Sequence, residues 1–163
     1  MEEHDNDDFD DSDVQSSCFT LATTATGSTA YPYEPCTTAD LVQGIVEALD
    51  YVPHLSEETK SMYLDKLQGY RYVDDVPSIR DRRPVKWMYR YREDDIRLKT
   101  GMLWKPLFRD GGMNLQMRGI GRNNAVYYEI KFDETLVFMK LNEDEMLLVM
   151  AEDFLLTQGS HDE

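Results

Sequence analysis

At Tyr70 the spacing of apolar residues changes, and that change limits what the chain can become. Before it, Leu41, Val42, Ile45, Val46 and Leu49 recur three and four residues apart, the period of an amphipathic helix. Thr37 and Thr38 stand where an N-cap belongs, so a helix is expected from Thr38 to Asp50. Pro53 prevents simple continuation. Ser56 then caps a second helix, with Glu57 and Glu58 at its positive end, Met62, Tyr63 and Leu67 on its inner face and Gly69 at its close. Two short helices joined by a proline-containing turn make a helical hairpin.

Beyond Tyr70 the alternation has a period of two. Lys86 to Arg92 alternates basic and aromatic residues, and Ile96, Leu98, Met102 and Trp104 share one parity, so each stretch reads as a strand with one buried face. Asp110-Gly111-Gly112 is a turn, Leu115 and Met117 mark the next strand, and Gly119, Gly121, Asn123 and Asn124 mark another turn. Ala125 to Phe132 and Leu136 to Leu141 read as two further strands. Asn142, with Glu145 three residues later, opens a last helix bearing Met146, Leu147, Val149, Met150, Phe154 and Leu155. The expected fold is α+β: a small antiparallel SH3-like β-barrel or sheet with an N-terminal helical hairpin and a C-terminal helix. The expected folded domain covers residues 37–158, divided into the hairpin (37–69), the β region (70–141) and the last helix (142–156).

Residues 1–36 carry nine acids and no Lys or Arg, then pass through a Ser/Thr-rich stretch, and read as a disordered acidic tail. The formal charge of the whole chain is −15, yet residues 71–122 hold thirteen Lys and Arg against seven acids. That reversal marks a surface for association and says nothing about fold. The acidic tail could compete for the same basic block. The acidic first thirteen residues do not suit a secretory leader, and no apolar run approaches the roughly 18 residues of a membrane span. An intracellular protein without membrane insertion is expected.

The inventory of reactive groups argues against an enzyme. His4 and His161 fall in the terminal stretches and His54 in the helix–helix turn, so no histidine cluster serves as a general base. Cys18 and Cys36 have no paired spacing and read as free thiols. Gly119-Ile120-Gly121 lacks the third glycine and the following helix of a phosphate loop. Asp74-Asp75, Asp94-Asp95 and Asp133-Glu134 read as solvated acids, because neighbours on a strand face opposite sides. No cofactor and no metal are expected, and a carboxylate-only enzyme ranks third among the readings.

One constellation could bind a partner. Arg80, Arg82, Arg83, Lys86, Arg90 and Arg92 run together with Trp87, Tyr89 and Tyr91 interleaved, the residue types that hold phosphates and stack bases. Alternation divides them: with the aromatics facing the core, Lys86, Arg90 and Arg92 carry their charge to solvent alone, and the plainest reading is a solvated strand face balanced by nearby acids. The leading expectation is therefore a non-enzymatic protein-interaction or structural module that uses this basic strand on an acidic partner. The alternative is a nucleic-acid-binding accessory protein using the same strand, 80–92.

Gly69-Tyr70-Arg71-Tyr72-Val73-Asp74, Lys86-Trp87, Leu98-Lys99-Thr100-Gly101 and the run from Phe132 to Leu141 leading into Asn142-Glu143-Asp144-Glu145 carry a resemblance. Over residues 69–153 the chain resembles small proteins of large nucleocytoplasmic DNA viruses. The resemblance implies a viral origin, with a protein partner of viral or host source. It also implies a place in the host cytoplasm or the virion, as a virion component or an accessory factor. It includes no catalytic motif, and no functional residue carries over.

Overall fold

The computed structural model of the chain describes residues 35–120 and 124–159. Contacts divide the chain into Met1–Tyr33 and Glu34–Glu163, and all the described residues belong to the second unit. The expected tail, 1–36, lies outside the described residues except for Pro35 and Cys36.

Helix α1 (Thr38–Asp50) starts at a reciprocal cap: Asp40 N donates to the Thr37 hydroxyl, and Thr37 N donates to the Asp40 carboxylate at 2.8 Å. The Thr37 N–H and hydroxyl both donate to the Asp40 carboxylate and hold its pKa below the ordinary value. Helix α2 (Glu57–Lys66) starts at Ser56, whose hydroxyl accepts from Thr59 N. Gly69 follows with φ +78°, the left-handed turn that releases the chain into the sheet. Met62, placed on the inner face by its spacing, is instead exposed, while Tyr63 and Leu67 are buried as expected.

Six antiparallel strands follow: β1 (Tyr70–Val73), β2 (Arg83–Tyr89), β3 (Lys99–Arg109), β4 (Gly112–Ile120), β5 (Ala125–Lys131) and β6 (Thr135–Lys140). Short 3-10 turns occupy Val76–Ser78 and Phe132–Glu134, and helix α3 (Glu143–Gly159) ends the described chain. The fold is α+β. The strand order is β1-β6-β2-β3-β4-β5, so the last strand enters the sheet between the first two. β1 and β5 stay at opposite edges with four strands between them, and the sheet is open. Of the two expected forms, SH3-like barrel or antiparallel sheet, the structure is the open sheet: a barrel would need the edge strands β1 and β5 to pair.

Parity along β6 divides the apolar interior into two. Leu136 and Phe138 face the helices and join Ile45, Ala48, Leu49, Val52, Tyr63, Leu67 and Met88. Val137 and Met139 face the other way, with Val73, Val85, Trp87, Leu103, Leu115, Met117 and Ile130. That second cluster is filled from the strands, with Ile79 after the first 3-10 turn and Phe132 at the start of the second. The β3–β4 hairpin turns on Asp110 (φ +51°) and Gly111 (φ +75°), two left-handed residues as a tight hairpin requires.

Two departures from the expected parity have local causes. β2 ends at Tyr89, so Tyr91 is exposed where alternation placed it inward. β3 begins at Lys99, so Ile96 and Leu98 pack on the helix-side core from a loop, and the buried residue of β3 is Leu103. Register slips between Leu103, opposite Met117, and Lys105, opposite Gln116. Trp104 is the extra residue of a β-bulge there.

Phe138 is fully buried, and its ring lies 5.8 Å from that of Tyr72. Truncation, Phe138→Ala, is expected to cost about 3–5 kcal/mol. Urea unfolding followed by tryptophan fluorescence would show it as a fall in midpoint with little change in slope.

Candidate functional site

The basic run does not form one patch. Arg80 donates to the Pro77 and Ile79 carbonyls. Arg83 bonds the Lys140 carbonyl and grips both Glu145 oxygens, at 2.9 and 3.3 Å, so it fastens α3 to the sheet. Lys86 donates to the Lys66 carbonyl and lies over the Tyr70 ring. Arg90 donates to the Tyr72 hydroxyl and lies over Tyr51, and its Nε is buried without a partner. Burial pushes the Tyr72 phenol above its ordinary range, against the opposing charge of Arg90. Arg92 stacks on Tyr89, 3.9 Å from the ring centre, and Lys99 covers the same ring and Trp87 while pairing with Asp95. Most of these cations have carbonyls or rings of their own domain as partners.

Arg82 turns to a different part of the sheet. It holds φ +57° in the turn before β2 and places its guanidinium 5.1 Å from the centre of the Trp104 ring. From the other sequence direction, Arg118 reaches the same ring at 5.5 Å, and Tyr127 meets it edge-on at 5.8 Å. β4 and β5 supply these two, and Met102, Arg118 and Tyr127 lie directly opposite one another across three strands. Sequence spacing could not assemble this group. Trp104 reaches it through the bulge, and Arg118 and Tyr127 come from separate strands. The turn 121–123 lies outside the described residues.

A second surface is α3. Its N-terminus is closed by the Asn142–Glu145 pair, each side chain accepting from the other's backbone N–H at 2.7 and 2.8 Å. Val149 is its one buried residue, and Asp153 accepts from the Thr38 N–H and hydroxyl. The rest of its large apolar side chains face solvent: Met146, Leu147, Leu148, Met150, Phe154, Leu155 and Leu156 are 43–63 % exposed. The sequence showed a broad apolar face but did not show that it remains uncovered.

Groups suited to catalysis are dispersed. His54 pairs with Glu93 on the surface at 3.2 Å, Glu134 with Lys131, and Asp95 with Lys99 and Arg97. No group of three or more His, Cys, Asp or Glu fit to hold a metal lies among the described residues. Burial raises the Cys36 thiol pKa, the opposite of what a nucleophile needs. A polar cleft of about 320 Å3 beside Arg90 is lined by Glu47, Asp74, Tyr51 and Tyr72. Its two carboxylates offset the guanidinium. Among the described residues, no helix is long and apolar enough to cross a membrane. Comparison with protein-family models, curated proteins and solved structures found no match.

The Arg83–Glu145 clamp has a pH signature. Burial acts to raise the Glu145 pKa, but the Arg83 hydrogen bonds, the Asn142 N–H and the Arg83 charge outweigh it and leave the group below its usual range. A carboxyl depressed in the folded state stabilises fully above its unfolded pKa, near 4.3, and loses that contribution as pH falls through the folded value. Glu145→Gln is therefore expected to lower stability by about 1–2 kcal/mol at neutral pH. In denaturation curves measured across pH, the gap from the parent should close as pH falls below about 4.

Proposed function

We propose that the chain is a protein-interaction module and that α3 is its docking element. The observation that carries this reading is the uncovered apolar face of α3. Seven large apolar side chains on one helix are 43–63 % exposed, unlike the singly scattered apolar residues of an ordinary surface.

Charge selects the occupant. Helix α3 carries Glu143, Asp144, Glu145, Glu152 and Asp153 and no Lys or Arg, on a chain of net charge −15. A second copy would bring like charges together, and an anionic lipid surface would repel the helix. The complementary partner is a protein segment with an apolar stripe flanked by Lys and Arg, docking as a helix against a helix. The resemblance to viral proteins gives this reading a setting, as a virion component or accessory factor.

The test uses full-length protein and two labelled amphipathic helical peptides, one Leu/Lys and one Leu/Glu. The expected result is a monomer by sedimentation that binds the Leu/Lys peptide and not the Leu/Glu peptide. Leu147→Ser with Phe154→Ser should weaken binding at least about tenfold, as loss of central anchors does. A dimer dissociated by those substitutions would assign the face to a second copy. Equal affinity for both peptides, or for neither, would also overturn the proposal.

A further inference from the structure

α1 and α2 pack on one side of β1, β6 and β2, and the same side of β3, β4 and β5 carries a row of exposed residues. Met102, Arg118 and Tyr127 form that row by direct cross-strand pairing, and the bulge adds Trp104 beside it. Lys105, the next residue, pairs with Gln116 on this side of the sheet. Arg82 and Arg118 both lie against the Trp104 ring. Arg82, Lys105 and Arg118 have no ion pair with a carboxylate among the described residues. Glu129, the carboxylate of these three strands, is taken up by Arg109 at 3.1 Å and by Asn114.

We infer that this face binds single-stranded nucleic acid, with bases stacking on Trp104 and Tyr127 and phosphates meeting Arg82, Lys105 and Arg118. Aromatic rings and cations without a carboxylate partner on an open sheet are what sequence-tolerant single-strand binding uses. The row spans three strands, ~10 Å at the usual strand spacing, enough for one or two unstacked bases. A duplex keeps its bases stacked, and a sheet face offers no helix or ribbon to enter a groove. An acidic peptide would satisfy the cations and leave both rings unused. The net charge of −15 does not decide the matter locally: residues 71–122 are net basic, and charges beyond about 8 Å are screened at physiological salt. This surface uses residues outside α3, and its test is separate from that of α3 docking.

The experiment titrates full-length protein with a short oligothymidylate, the matching duplex and inorganic polyphosphate at two salt concentrations. Binding is read by anisotropy and by tryptophan quenching. The expected result is salt-sensitive binding of the single strand over the duplex. Trp104→Ala should weaken it about tenfold, the usual worth of one stacking ring, and Trp104→Phe should retain most of it. Arg82→Glu with Arg118→Glu should weaken it and flatten its salt dependence, while Arg90→Glu with Arg92→Glu should leave it unchanged. Emission from buried Trp87 checks that each Trp104 variant remains folded. Absence of binding at low salt, equal binding of duplex or polyphosphate, or indifference to Trp104→Ala in a folded protein would overturn the inference.

Discussion

β6 is the constraint on which the remaining structure depends. Its residues Thr135 to Met139 are all buried, which requires apolar partners on both faces and backbone partners on both edges. β1 and β2 supply the edges, the helical hairpin one face, and the strand-built cluster the other. One six-residue strand thus ties two cores together. The flanking Lys140 and Asn142 turn the chain outward, and Arg83 fixes the start of α3 beside them.

Much of this was legible in the sequence wherever a signal was local. The caps at Thr37, Ser56 and Asn142, the release at Gly69 and the turn at Asp110-Gly111 each depend on residues within a few positions of one another. The continuous apolar run from Leu136 announced a strand, and its burial on both faces follows from that composition. What failed were inferences carried along a strand beyond a local irregularity. Parity read from Ile96 through Trp104 assumed a single pleat, but the strand starts late and bulges at Trp104. The same bulge that broke the pattern brought Trp104 to Arg82 and Arg118.

The basic run shows a second limit. Six cations within thirteen residues suggested one surface, yet a strand distributes its side chains to both faces and a turn sends others elsewhere. Arg83 became a clamp, Lys86 and Arg90 became partners of carbonyl and phenol oxygens on the helix side, and Arg82 turned to the open sheet. Which cations remain available was set by what lay opposite them. The two surfaces left open are chemically unlike. One is apolar with an acidic rim on a helix, and the other is aromatic and cationic on a sheet, so a single partner would not fit both.

The late position of β6 in the sequence also affects synthesis. As the chain leaves a ribosome, β2 to β5 can assemble as successive hairpins, because each strand pairs with the one made just before it. α1, α2 and β1 can pack on one another, but the core they share with Leu136 and Phe138 is incomplete until β6 emerges. Completion of the domain is thus deferred to the translation of about its last fifth. A nascent chain stalled before Leu136 would present two unjoined halves to chaperones and proteases, not a shortened version of the finished protein.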